Sequence, residues 1–192
     1  MDFIKVSLFA SNQIELVNPP FRENPFIMNV HCHKNPGLCG LTAIRMLDVF
    51  IDRAAERGLL VMLDNHRNAA GGYISPPLWY DSNYTETEVI DLWKHLVKHY
   101  RNQWNVFAID LKNEPSYEEE LATWGNSNKS SDWNKAAERM IRRLGTFKGL
   151  YFVDGINHGT DLGKSREFPL DSGNSTLNNR VVYSAHCYGP KI

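Results

Sequence analysis

Four short polar clusters in this sequence carry residue types that can move protons or bind polar ligands: Asp64-Asn65-His66, Asn113-Glu114-Pro115, Asp154 with Asn157-His158, and His186 with Tyr188. Each follows directly on an apolar run. Asn113-Glu114-Pro115 is the sharpest of them. A proline disfavours the helical conformation for the residue before it, so Glu114 is expected to be extended and to project its side chain. A carboxyl group at the rim of an apolar layer is partly desolvated, which favours its protonated form. A protonated carboxylic acid can hand its proton to a leaving-group oxygen, as cleavage of a glycosidic bond requires. Asn113 beside it has the donor and acceptor to hold a hydroxyl group.

The elements that must position these clusters can be read from periodicity. Residues 3–9, 59–63, 105–111, 150–153 and 180–184 read as strands. Residues 42–57, 86–100 and 132–144 read as amphipathic helices, the first ended by Gly58 and the last with Asp132 as its N-cap. Apolar strands alternating with such helices predict βαβ units and a parallel sheet. Long polar loops at 67–85, 116–131 and 157–179 follow the carboxyl ends of strands. In a parallel α/β barrel those ends converge on one rim, where sites are built. The alternative is that polar residues merely suit a strand's exit from the core, although His and Glu are not the usual exit residues.

The 192 residues suit one domain, residues 1–192. A complete eight-fold barrel typically takes about 250. With 21 basic against 22 acidic residues, a net charge of −1 implies no strongly basic face, so nucleic acid is not expected as a partner. No apolar run is long enough to span a bilayer, so no membrane partner is expected. Cys32 and Cys39 flank a Pro-Gly turn. They suit either a small disulfide loop or two free thiols, and Cys187 is left over in both cases. Sequons occur at Asn83, Asn128 and Asn174, and Met1 leads into the chain with no signal peptide. His31-Cys32-His33 lacks a second pair at metal-ligand spacing and reads as loop. The acidic run 118–120 reads as a solvated patch.

Several stretches together resemble glycoside hydrolase family 5, the cellulase family. They are Leu63-Asp-Asn-His-Arg, Leu78-Trp-Tyr, Phe107-Ala-Ile-Asp-Leu-Lys-Asn-Glu-Pro, Thr123-Trp-Gly, Asp132-Trp-Asn-Lys-Ala-Ala-Glu-Arg and Val182-Tyr-Ser-Ala-His-Cys-Tyr-Gly-Pro, in the family's order. The resemblance implies an α/β fold, a partial (β/α)8 TIM barrel holding about strands 2–6. It implies retaining hydrolysis of a β-linked glucan, a polysaccharide or oligosaccharide substrate, no cofactor and an extracellular setting. Glu114 then matches the general acid/base. Asn113 matches the residue that holds the sugar 2-hydroxyl, His66 the histidine after the third strand, and His186 and Tyr188 the His-x-Tyr pair after the sixth. Lys5 stands where the family pattern has an arginine, which loses the planar two-pronged donor.

Trp79, Trp124 and Trp133 fall in or beside the rim loops, where indole faces can stack on sugars or simply pack the loops; Trp93 and Trp104 read as core. Retaining chemistry needs a second carboxyl about 5–5.5 Å from the first. The family carries it as a Gly-Glu after the seventh strand, whereas residue 192 falls just after the sixth, and the family's first strand would precede Met1. The resemblance therefore implies a chain truncated at both ends and without activity alone. A non-catalytic carbohydrate-binding relic and a fragment serving only as a folding unit are the competing readings.

Overall fold

The computed structural model describes residues 3–9, 34–68, 78–116 and 122–189, with the side chains of β1 described only for Ile4 and Lys5. Five strands form one sheet in sequential order: β1 (Phe3–Phe9), β2 (Leu60–Arg67), β3 (Val106–Asp110), β4 (Leu150–Asp154) and β5 (Val181–Ser184). Every neighbouring pair is parallel. Sequential order means each crossover moves one strand along in the same sense, which curls a sheet toward a barrel instead of extending it to both sides. The carboxyl ends of all five strands therefore share one side.

The crossovers are helices, and their ends follow from local chemistry. α1 (Ala43–Glu56) starts where the Thr42 hydroxyl accepts from the Arg45 amide, and the chain leaves it through Gly58 at φ 69°. α2 (Glu86–His99) opens with a capping box in which Thr85 and Glu88 each satisfy the other's backbone amide. α3 (Trp133–Arg143) has Asp132 at its N-cap position, as expected, but the side chain does not cap the helix. Its carboxylate instead accepts from the amides of Gly125 and Ser127 at 2.8 and 2.6 Å, folding the preceding loop onto the helix start. α4 (Ser175–Asn178) is a single turn capped by Asn174, inside what reads in the sequence as loop.

The two faces of the sheet have different work. Leu63, Ile109, Leu111, Tyr151 and Val153 point outward and pack with Leu92, Trp93, Leu96, Ala137, Met140 and Ile141 in one hydrophobic core. The alternate positions Asp64, Asp110 and Asp154 point to the concave face. Asp64 pairs in register with Asp110, and Asp154 with Ser184. Trp93 is buried as expected, whereas Trp104 is 62 % exposed, so its placement in the core is corrected. The segment that carries it, between α2 and β3, turns at the outer end of the sheet and offers the indole no partner layer.

His31, Cys32, His33 and residues 118–120 lie outside the described residues. Cys39 is disulfide-bonded, and Cys187 is free and exposed. None of the described helices is long and apolar enough to cross a membrane.

Candidate active site

Four residues beyond the end of β3 the backbone departs from its ordinary geometry. Glu114 has φ 50°, in the left-handed region, so the extended conformation expected from Pro115 is corrected. A non-glycine residue there is strained, and surrounding contacts must hold it. Here the Glu114 amide donates to Asp154 Oδ2 at 3.0 Å, and the carbonyl of Pro115 accepts from the His158 amide at 3.3 Å. Both restraints come from the end of β4. The next strand end supplies the partners of the carboxylate itself. Glu114 Oε1 lies 2.8 Å from His186 Nδ1 and also accepts from the Tyr188 hydroxyl. The Glu114 side chain is 22 % exposed, which leaves it reachable from the rim.

His186 is held between two carboxylates, with Nε2 3.1 Å from Asp154 Oδ2. Its pKa is pushed up to about 9, chiefly by the bond to Asp154, with burial opposing and Glu114 adding to the rise. At neutral pH the ring is therefore an imidazolium that donates from both nitrogens. Burial acts to raise Asp154, but the bonds from His186, the Glu114 amide and Ser184 outweigh it and hold the carboxyl below the usual range. Gly159 makes room for the ring: with φ 77°, a Cβ there would come within 2.7 Å of His186 Cγ. It ends a run of three left-handed residues, after Asn157 at 54° and His158 at 57°.

On the other side of Glu114 lies a buried charge cluster. Lys5 Nζ donates to Asp110 Oδ2 at 2.7 Å and to Asn113 Oδ1 at 3.2 Å, and lies 3.6 Å from Asp64 Oδ2. Burial works against the Lys5 charge, but Asp110 and Asp64 more than restore it. Asp110 is raised by its own burial and by Asp154 and Asp64, with Lys5 opposing. Lys112, fully buried, donates to the Asn113 carbonyl at 2.6 Å, and burial lowers its pKa to about 8 against the pull of the carboxylates. His66 Nδ1 sits 2.8 Å from Asp64 Oδ2 with its side chain 32 % exposed.

Glu114, Asn113, His66, His186, Tyr188 and Lys5 thus come together at one rim. The sequence did not single out Asp110 and Lys112, and it marked Asp154 only as part of a polar cluster after a strand, with no role of its own. Their signal was alternation alone: polar residues two apart at the end of an apolar strand all face inward.

Of the two readings open for Trp79, Trp124 and Trp133, stacking on sugars or packing the loops, all three follow the second. Trp79 is fully buried, donates to Glu86 at 2.7 Å and packs its ring 5.4 Å from that of Trp133. Trp124 is 2 % exposed and donates to the Phe168 carbonyl at 2.9 Å. It lines a cavity of about 370 Å³ with Ile156, Asn157 and Lys164. Trp133 is also fully buried and donates to the Asp154 carbonyl at 2.9 Å. Trp79 and Trp124 bury because their loops fold against the start of α3, whose first residue is Trp133, and each of the three indoles gains both packing and a hydrogen-bond acceptor there.

With this geometry in view, the likeness to known proteins is informative. An endoglucanase of Paenibacillus polymyxa is 37 % identical over 176 residues, covering 85 % of this chain and 43 % of that protein. The major extracellular endoglucanase of Xanthomonas campestris pv. campestris is 34 % identical, covering 89 % of this chain and 36 % of that protein. The chain thus spans less than half the length of these relatives. A hyperthermophilic endocellulase from the archaeon Pyrococcus horikoshii superposes with a TM-score of 0.83 at 29 % identity, covering 99 % of this chain and 54 % of that one. The same endocellulase has been solved in complex with cellotetraose as a Y299F form, with 28 % identity and a TM-score of 0.83. These neighbours are TIM barrels, of which this chain forms a part. The model of the cellulase family, glycosyl hydrolase family 5, matches residues 7–191, and with a relative above 30 % identity alongside it the chain belongs to that family.

Proposed function

We propose that the protein cleaves β-1,4-linked glucan with retention when its barrel is whole, with Glu114 as acid/base. The observation that carries this reading is the grip on Glu114: a strained backbone held by Asp154, and a carboxylate that accepts from His186 and Tyr188. An acid/base must meet the glycosidic oxygen in one orientation, and such a grip fixes that orientation before substrate arrives. Asn113, beside it, is positioned by Lys5 to offer its amide nitrogen to a sugar hydroxyl. His66 stands on the same rim to meet a hydroxyl of the bound glucan. An endocellulase related to this chain binds cellotetraose, which supports an oligosaccharide of this kind as the ligand. An extracellular setting is supported by the Xanthomonas relative.

Retention needs a nucleophile as well. Among the described residues, the carboxylates that share the rim are Asp64, Asp110 and Asp154. They are buried, and Lys5, His66 and His186 face them. We infer that the 192 residues alone release no reducing sugar from carboxymethyl-cellulose. The test is a reducing-sugar assay with the purified chain and a Glu114→Gln control. Turnover that the control abolishes would show that a further carboxylate completes the site.

A further inference from the structure

At the opposite end of the sheet from Glu114, a groove of about 1010 Å³ runs between the last turns of α2 and α3 and the amino ends of β3 and β4. Its floor is apolar, with Val106, Phe107, Phe147 and Leu150. Gly149 keeps that floor closed and flat, because a Cβ there would come within 2.3 Å of the Phe107 carbonyl oxygen. Trp104 stands at its edge, 62 % exposed, the most exposed tryptophan described. Around it lie Lys98, Arg101, Arg143 and Lys148, with Lys94 already paired to Asp91, and no carboxylate lines the groove. The acids nearest in the fold are already engaged: Asp48 with His99 and Tyr100, Asp52 with Gln103, Asp91 with Lys94.

Two of the cations have an ordinary explanation. Lys98 and Arg143 sit in the last turns of helices, where the helix dipole favours positive charge. Arg101, next after the α2 C-cap Tyr100, shares in that field, whereas Lys148 lies four residues past the α3 C-cap Leu144 and gains little from it. Neither forms an ion pair with a described residue, although the chain as a whole is slightly acidic. The groove also lies on the middle strands of the sheet, away from the unpaired edges of β1 and β5, so barrel strands added at those edges would not fill it.

We infer that this groove is a second carbohydrate site, distinct from the rim, that takes an acidic polysaccharide of the polyuronate type. A pyranose ring offers the apolar C–H face that stacks on Trp104, and one carboxylate per sugar suits a few separated cations. A single-stranded nucleic acid would call for several aromatic platforms for successive bases, whereas among the described lining residues Trp104 is the one exposed aromatic. Such a site would hold the protein on a mixed wall material while the rim works on its neutral glucan.

Affinity electrophoresis of the whole chain in gels containing polygalacturonate tests this, with hydroxyethylcellulose and a single-stranded RNA as comparison polymers. Retardation by polygalacturonate is expected. It should weaken about tenfold in Trp104→Ala and in the double variant Arg101→Ser/Lys148→Ser, and fall with added salt. All these side chains are exposed, and thermal melts would verify that the variants fold. Glu114→Gln should be retarded like the parent, which separates this site from the rim and its proposed role. No retardation by polygalacturonate, equal retardation by the neutral polymer, stronger retardation by RNA, or unaltered binding in both variants would each overturn the inference.

Discussion

The amide nitrogen of Glu114 lies 3.0 Å from Asp154 Oδ2, and that same oxygen faces His186 Nε2 at 3.1 Å. One carboxylate oxygen thus fixes both the backbone of the proposed acid/base and the ring that contacts its side chain. Asp154→Asn keeps the shape but removes the charge. His186 should then titrate well below about 9, nearer its ordinary value of 6.5. Proton NMR titration of the imidazole reads this without any need for turnover. Breaking a buried pair in this way should also cost about 3 kcal/mol of stability in urea melts.

The same contacts set a pH dependence. His186 is raised on folding, so its contribution to stability is full below about 6.5 and is lost as pH climbs through about 9. Asp154 is lowered, so its contribution is present above its ordinary 3.8 and is lost as pH falls below that. The melting temperature should therefore be highest between roughly pH 4 and 6.5 and decline toward pH 9. Lys112, lowered to about 8, opposes that decline above pH 8, so the assigned protonation of His186 is contradicted by an imidazole that titrates below pH 7 in proton NMR.

Glu114→Gln, in a form of the enzyme spanning the whole barrel, should reduce kcat/KM by about 10²–10⁴-fold on substrates with poor leaving groups. Substrates with activated leaving groups need no protonation and should lose less. Added azide should restore turnover of the activated class. Equal, mild losses on both classes would count against the acid/base role.

Gly159→Ala places a methyl group 2.7 Å from the His186 ring at a φ that alanine avoids. A loss of about 1–3 kcal/mol is expected, together with a shifted His186 resonance. Gly173→Ala, with φ 75° but open space around it, serves as the control, because it carries the backbone strain without the collision.

Glu86 accepts from Arg139 Nε and Nη2 at 2.8 and 2.7 Å and from Trp79 at 2.7 Å, tying α2 to α3. Burial opposes its charge, but these bonds hold its pKa below the usual range. Glu86→Gln should lower stability by about 2 kcal/mol and leave the dissociation constant for cellotetraose unaltered, as expected for a tryptophan that packs the fold. Weaker binding at unchanged stability would return Trp79 to the cleft.

Much of the frame was legible because its signals are local. The strand runs are apolar and short, the helices carry stripes, and Thr85 and Glu88 stand at the spacing of a capping box. The rim residues were legible through their position after those runs. What periodicity cannot carry is depth. Trp79 and Trp124 stand in polar stretches that fold against the start of α3, where Trp133 is the first helical residue, and only that packing buries all three. Trp104 illustrates the reverse, an aromatic next to a strand that tertiary structure leaves in the open. The φ of Glu114 was misjudged because Pro115 sets only a local preference, and bonds from β4 override it. The roles of Asp110, Lys112 and Asp154 depend on the register of neighbouring strands, a non-local fact.

The carboxylate of Glu114 takes its partners from His186 and Tyr188, 72 and 74 residues further along the chain. Synthesis runs from the amino end at about 5–20 residues per second, so on the ribosome Glu114 waits roughly 4–15 seconds for them. Over that interval β1 to β4 can pair while Asp154 has yet to meet its imidazolium. A nascent chain is then exposed in its most polar layer at the moment when it has the most sheet to protect. Slow codons placed within the stretch that encodes residues 155–185 would lengthen that wait.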